Sequence, residues 1–435
     1  MRNINKDMRD TRGSILIVAV IFATIAALTI GSYIRLAGTE MRLANTQFYS
    51  NASLNLAEAG VEEVLYALNQ GSWSDKNWGQ SDNANTRTNR FEGIPLGSAA
   101  NGEIRVRVEE ARSDNPTVFA HGEVTAGGSN STAKQIEVKL RRRSLYANGI
   151  TTRNMVIFSG GNAYVASYRS SDPTGSILDG GSVASISVEE DAVDVGNAEI
   201  FGTVATGGEY PVIRNGKVWG FDTPAGVTVD PDRISTDFSS SFPPVEAPDD
   251  ASILYEWTEE IPILVGSDDP ENPLIYRTSE IDLAGSQELR IEGHAVLIVD
   301  GDVSVTGNAG IVVGQDASVS MYVEQDFHIR GNGVINESGI PADLRVYGTN
   351  TEGQDFSIGG NAVWYGAVYA PNSSISLNGG GGNSGQFRGA VVADRFHMNG
   401  NTHFYYDEDL RFLLEEGHFG AVSWRELYGV DRHSL

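Results

Sequence analysis

The groups in this chain that could do chemistry are few and scattered. There are seven His and no Cys, so thiolate catalysis and disulfide bonds are both excluded. His328 and His397 each precede an apolar residue in a repeated phrase whose apolar positions should point inward, so both are expected on the outside. No His-Glu-x-x-His and no Gly-x-Ser-x-Gly occurs. Gly380, Gly382 and Gly385 have dinucleotide-loop spacing. The residues after them, Gln386-Phe387-Arg388-Gly389-Ala390, read as a strand, whereas a pyrophosphate needs a helix N-terminus there. Two acidic groups, Asp230/Asp232/Asp237 and Asp268/Asp269/Glu271, could offer oxygen ligands to Ca²⁺. Neither has EF-hand spacing, and solvated acidic loops are the simpler reading. Tyr365, Tyr369 and Tyr405 could stack on sugar rings or pack within the fold. No catalytic, cofactor-binding or metal residue is nominated. The chain is expected to be no enzyme and to need no cofactor. A net charge of −26 argues against nucleic acid as a partner.

What positions these residues is an unusual N-terminal stretch, Gly13 to Gln70. From Ser14 to Ile34 it is uncharged and mostly apolar, long enough to cross a bilayer as a helix. Arg35 is the first charge, and no Pro interrupts the run. The pattern then turns amphipathic. In Leu54 to Asn69 apolar residues recur at 54, 57, 61, 64, 65 and 68, the spacing of a helix with one buried face. Gly71 is placed to end it. Three readings compete: a permanent anchor, a removed signal peptide, and an apolar helix that packs among copies of itself. No small-x-small site closes the apolar run, which disfavours the signal peptide.

The third reading is carried by two motifs. Arg12-Gly13, ahead of the apolar run, resembles a prepilin peptidase site. Ala57-Glu58-Ala59-Gly60-Val61-Glu62 resembles the corresponding block of PilX-type minor pilins and of tip pseudopilins of type II secretion. The resemblance implies a leader of residues 1–13 ending at Gly13 and a new N-terminus at Ser14, methylated after cleavage. Major pilins place Glu at the fifth position after the cut; here that position is Val18. Such a Glu would neutralise the buried N-terminal ammonium of a neighbour, and an unpaired charge in an apolar bundle is costly. A subunit with Val18 therefore fits the end of a filament better than its shaft. The partners implied are other pilin subunits, prepilin peptidase and the inner membrane before assembly.

The leader is mixed but basic, with Arg2, Lys6, Arg9 and Arg12 against Asp7 and Asp10. The positive-inside rule puts the N-terminus in the cytoplasm and everything after Arg35 across the membrane. The destination is the inner membrane, then a pilus, the cell surface or the periplasm. Residues 72–144 complete a pilin-like α+β region. Ser72 to Asn89 reads as a loop. Residues 103–109 and 134–140 alternate strictly, with 118–124 between them, which predicts strands with one face buried. Arg141-Arg142-Arg143 closes the region.

From 145 to 406 a short phrase recurs: two apolar residues at alternate positions, then Gly-Asn or a variant. Copies stand at Val303–Asn308, Phe327–Asn332, Phe356–Asn361, Ile375–Gly379 and Phe396–Asn401. Related phrases stand at Val156–Asn162 and Val193–Asn197. The downstream spacing is that of a coil, with Gly-Asn supplying the positive φ of a sharp corner. One such coil cannot bury its apolar side chains alone, but stacked coils can. The expected fold is mainly β, a parallel β-helix; a β-sandwich is the competitor. A Pro-rich acidic segment interrupts the phrases, and residues 226–280 are expected to form a strap. Residues 407–435 are expected to cap the end, with a short helix at Leu410–Glu416 and Val422–Leu427 included.

Asp230–Val245, the Gly-Asn phrases, Trp364–Asn372 and Phe404–Leu410 together resemble an uncharacterised solenoid family found behind PilX-type N-termini in Gram-negative bacteria. That family's ending reads His-Tyr-Asp-Glu; here Tyr405 occupies the His position. The expectation is a structural, adhesive subunit at or near the tip of a type IV pilus-like or pseudopilus fibre, meeting a surface such as a glycan. The alternative is a membrane-anchored β-helix that binds or processes polysaccharide, although no paired carboxylates for that chemistry can be nominated.

Overall fold

The computed structural model describes residues 11–69, 73, 78–80, 85–97, 100–126, 130–172, 174–248, 254–256, 262–331, 333–360, 363–379, 385–413 and 418–429. The fold is mainly β with one long N-terminal helix, and it divides into two compact units. The first holds residues up to Arg142 together with the last strand; the second runs from Arg143 to His418.

In the first unit, helix α1 (Thr11–Asn69) runs 59 residues without a break, about 90 Å at the usual rise. Its apolar first half, from Leu16, is exposed throughout and packs against none of the described residues. Its last quarter turns Ser53, Leu56, Ala57, Val61, Val64 and Ala67 onto a sheet. The sheet order is Gly79–Gln80, Thr86–Pro95, Ala100–Glu109, Thr117–Ala126, Asn130–Arg143 and His418–Glu426. The expected strands at 103–109, 118–124 and 134–140 are present and longer than read. Their alternation puts Ile104, Val106, Val108, Val118, Ile136 and Val138 beneath the helix. Gly60 allows close packing, since a Cβ there would meet Ile104 and Val106 at 2.8 and 2.9 Å.

Three expectations are corrected here, two in this unit and one at the end of the second. The loop read at 72–89 gives way to a strand from Thr86, with Trp73, Trp78 and Phe91 packed edge-on beside it. Val422 to Leu427 do not cap the repeat region, because His418–Glu426 is a strand of this sheet. Asn69 fixes that strand, donating to the Phe419 carbonyl and accepting from its amide at 2.7 Å. Thirdly, a 3-10 turn at Glu408–Phe412 replaces the start of the helix expected at 410–416. Gly71, residues 1–10 and residues 414–417 lie outside the described residues.

The solvent face of this sheet carries crossed charges. Arg90 donates to both oxygens of Glu103 at 2.8 and 2.9 Å, and Arg105 also pairs with Glu103. The Arg90 hydrogen bonds hold the Glu103 carboxyl down to about 2 from an ordinary 4.5. A carboxyl lowered on folding stabilises the fold above its unfolded value, and the gain is lost as pH falls through the folded one. Thermal unfolding of Glu103→Gln and the parent should therefore differ at pH 6 and converge as pH falls from about 4.5 to about 2. A gap that stays constant over that window would show the pair contributes nothing.

The second unit is built of short strands paired in parallel. One column of inward side chains reads Leu297, Met321, Val346, Val368, Val391, Ile150, Val183, Val204, each the register partner of the next. A second reads Val303, Phe327, Phe356, Ile375, Phe396, Val156, Val193. A third reads Trp364, Phe387, Phe404, Val165, Ile200, Val218. All are buried. A separate four-stranded parallel sheet joins Ile263–Val265, Glu288–Glu292, Gly310–Val313 and Gly333–Asn336. The pairings also close a ring of six parallel strands: 150–158, 181–185, 199–205, 164–168, 403–407 and 386–399.

These columns do not follow chain order. The strand Ile150–Phe158, first in the unit, pairs with Gln386–Asn399, among its last. The chain therefore builds rungs 150–235, crosses back, and builds 254–407 up to the first rung. The crossing is the Pro-rich segment, shorter than the expected strap of 226–280. Ile234–Ser235, Leu254–Glu256, Ile263–Val265 and Leu274–Thr278 within those bounds are strands of the sheets. Residues 236–248 make the return in sequence. Phe238 N donates to Thr206 O, Phe242 lies under the Arg153 guanidinium, Pro243 O accepts from the Tyr369 hydroxyl at 2.9 Å, and Ala247 packs against the cluster of Ile275, Val296 and Ile298. Residues 249–253 and 257–261 lie outside the described residues.

Four of the seven phrases turn with the expected chemistry: Gly196, Gly307, Gly331 and Gly400 all have φ between 57 and 74°, a conformation only Gly adopts freely. The other three do not: Gly160, Gly161, Gly359 and Gly379 have no positive φ, and Gly359 and Gly379 lie within strands. Asn side chains ladder between rungs, Asn162 to Asn401 at 3.2 Å and Asn399 to Asn378 at 3.1 Å. Asn332 and Asn361 lie outside the described residues.

Candidate functional site

Two surfaces can act on something outside the chain, one in each unit. The first is the apolar half of α1. Leu16, Ile17, Val18, Val20, Ile21, Phe22, Ile25, Leu28 and Ile30 are all exposed. Among the described residues this is the one helix long and apolar enough to cross a membrane. Polar side chains within it turn their hydroxyls back on the helix: Thr24 donates to Val20 O, Thr29 to Ala26 O and Ser32 to Leu28 O, so these three present no unpaired hydroxyl to a lipid or apolar partner. Gly13, Ser14 and Val18 are all helical. The helix is described from Thr11, and residues 1–10 of the expected leader lie outside the described residues.

The second surface is the outer face of the six-strand ring. Parallel register places Tyr365, Arg388 and Tyr405 in one row. It places Gln386, His403, Tyr164, Glu199 and Lys217 in the next. The Arg388 guanidinium lies 4.7 Å from the Tyr405 ring and 4.9 Å from that of Tyr168, with Tyr365 at 5.8 Å. Tyr164 meets both His403 and Tyr405 edge-on. Burial and the neighbouring Tyr405 and Glu199 raise the Tyr164 phenol to about 12, and burial lowers His403. At physiological pH this face therefore carries neutral rings around the Arg388 guanidinium, beside the Glu199–Lys217 ion pair. Beyond them Trp219 donates to Glu199 Oε1 at 2.9 Å, and Phe221 is 69% exposed beside Phe201.

Of the three tyrosines singled out from sequence, Tyr365 and Tyr405 stand together here, Tyr365 half-buried and Tyr405 buried. Tyr369 does not: it is buried under the crossing segment, its hydroxyl held by Pro243. Tyr164, Tyr168, Trp219 and Arg388 were missed. Their alternation with buried Val165, Val218 and Phe387 was a usable signal, but it named no face until the rungs were ordered. His328 and His397 point outward as read; His397 Nε2 lies 2.7 Å from Ser159 Oγ.

The acidic groups serve the backbone. Asp230 accepts from Asp232 N and from the Thr223 hydroxyl, and caps a 3-10 turn. Asp269 accepts from Glu271 N and Asn272 Nδ2. Among the described residues no three His, Asp or Glu side chains gather as metal ligands. Gly380 and Gly382 lie outside the described residues, and Gln386–Asn399 after them is a strand, so the dinucleotide loop has no helix to lead into.

A family profile for a domain of unknown function (DUF7305) matches residues 272–413. No curated protein matches the chain. Among solved structures, the competence-associated pilin ComZ from Thermus thermophilus is 11% identical. That alignment covers 87% of this chain and 98% of that one, with a TM-score of 0.24. Similarity at that level does not establish a common fold.

Proposed function

We propose that this chain is a pilin-like subunit, of the PilX type, whose work is structural and not catalytic. Prepilin peptidase cuts after Gly13, and Ser14 becomes the methylated N-terminus. The chain waits in the inner membrane, N-terminus in the cytoplasm, and then leaves it to join other pilin subunits in a type IV pilus-like or pseudopilus fibre. Val18 suits it to the tip, where no neighbouring ammonium needs a carboxylate. The second unit, read as a parallel β-helix, meets the target surface in adhesion, and a surface glycan is the contact its aromatic face suits.

The observation that carries this reading is the single unbroken helix. Its first half is apolar and unpacked, and its last quarter is the buried spine of an antiparallel sheet. A plain anchor has no need to continue rigidly into the fold it tethers. The three columns of stacked apolar side chains, the Gly corners and the Asn ladders support the coil.

The test is co-expression with a prepilin peptidase. The intact mass should fall by the 13 leader residues and rise by one methyl, and Gly13→Leu should abolish both changes. Equal masses for the parent with and without the peptidase would remove the proposal.

A further inference from the structure

We propose that the row running from Gln386 through His403, Tyr164 and Glu199 to Lys217, flanked by Arg388, Tyr405 and Trp219, is a binding site for a neutral, hydroxyl-rich oligosaccharide. The inference rests on the reading that this unit presents a contact face, and it names that face and its ligand class. Five parallel strands at the usual spacing make the strip about 20 Å long, room for several pyranose rings along the stacking direction.

Three features select the ligand. Aromatic rings with exposed area are spread along the strip, at Tyr164 and Tyr365 near one end and Trp219 and Phe221 near the other, with the buried Tyr405 ring packed edge-on beside Tyr164. Ring faces bind the C–H faces of a pyranose as they bind any flat apolar surface, while leaving its hydroxyls free. Between the rings stand groups of both hydrogen-bonding senses: the Gln386 amide, the His403 imidazole, the Glu199 carboxylate and the Lys217 ammonium. A sugar hydroxyl donates and accepts, so it can use all of them. Finally, the side chains are held in place before any ligand arrives. Glu199 accepts from Trp219 and from Lys217 at 2.9 and 3.2 Å, and Tyr405 OH lies 3.3 Å from His403 Nδ1. Preorganised side chains lose less freedom on binding.

Beneath the rings lies unsatisfied polarity. The Tyr168 hydroxyl, Arg388 Nε and Asp407 Oδ2 are all buried without a hydrogen-bond partner. Tyr168 is 3% exposed and Asp407 1%. Asp407 uses only its other oxygen, which accepts from Ser170 N and Asp409 N. Tyr168 and Asp407 are register partners on adjacent strands, and Tyr168 stacks on Arg388. Unpaired donors and acceptors gathered beneath the rings are uncommon in a finished core; all three are shut off from solvent, so an ordered water beneath the strip, not the sugar itself, is what would reach them. An anionic polymer is disfavoured by the chain's net charge of −26 and by Glu199 within the row.

The experiment uses the full chain in a zwitterionic, sugar-free detergent. Cellohexaose and chitohexaose are the probes, read by titration calorimetry and tryptophan fluorescence. At least one should bind. Tyr164→Ala and Trp219→Ala should each weaken it about tenfold, with unfolding midpoints unchanged, and Phe412→Ala, remote from the row, should leave it alone. Should either variant fail to fold, Gln386→Ala supplies the same reading from an edge side chain. Absence of binding by both sugars overturns the site, as does binding that survives these changes. Tighter binding of polygalacturonate than of either neutral probe overturns the ligand class. The assay uses unassembled protein, so failure of leader cleavage leaves it readable, and its own failure leaves the filament reading standing.

Discussion

Gly122→Val will unseat α1 from its sheet. A Cβ at Gly122 would press on the Ser53 carbonyl oxygen and lie 2.7 Å from the Ala57 amide nitrogen. Both are backbone atoms of a regular helix, so no rotamer change relieves the contact. Either the helix lifts, uncovering Ile104, Val106 and Ile136, or the strand Thr117–Ala126 breaks register. Overpacking of this kind costs about 3 kcal/mol or more when the neighbour cannot give. The expected result is a large fall in the unfolding midpoint of the first unit, with the second unit's transition unmoved. Gly420→Ala, on the last strand of the same sheet with nothing within 4 Å, should change stability by less than about 0.5 kcal/mol. Equal small effects from both would mean that the helix does not pack so closely.

Phe396→Ala will weaken the seam where the beginning of the second unit meets its end. Phe396 is 1% exposed, pairs in register with Val156, and packs edge-on against Phe158 and Phe404 at 6.5 and 6.2 Å. Truncation leaves a cavity among rings fixed by the rungs on either side, so little collapse is possible, and the cost should be about 3–5 kcal/mol. Because the strand Gln386–Asn399 joins rungs built early in the chain to rungs built late, denaturant unfolding should lose cooperativity as well as midpoint. Phe412→Ala, at an exposed position, is the control. A Phe396→Ala protein that unfolds in one transition at the parent's midpoint would show that the seam is not where stability resides.

Much of this was legible because it is periodic. Leu54 to Asn69 repeats every three to four residues, and the helix buries that face. Residues 103–109 alternate and bury every second side chain; residues 134–140 bury Ile136, Val138 and Leu140 as their pattern predicts, but Gln135 and Glu137 on the other face are buried as well. The Gly-Asn phrases predicted corners, and Gly196, Gly307, Gly331 and Gly400 turn there with positive φ. Thr86–Pro95 was missed because its burial comes from its neighbours. Phe91 packs on Trp78, and Arg90 reaches Glu103 across the sheet, so no apolar alternation of its own marks it. His418–Glu426 was misassigned for a related reason: a strand's pattern says that it pairs, not with which sheet.

Local sequence alone determined which residues face in, where the chain must turn, and that one apolar rod leads into a folded helix. Side-chain period and backbone freedom are properties of a few neighbouring residues. Only the tertiary structure decided the order of the rungs, because a Val or Phe stacks equally well on any like neighbour: most rungs pair with the next in sequence, but the seam joins strands more than two hundred residues apart. The return of residues 236–248 put Ile150–Phe158 against Gln386–Asn399. That placement brought Tyr164, His403 and Arg388 onto one face, and no short-range pattern could have joined them.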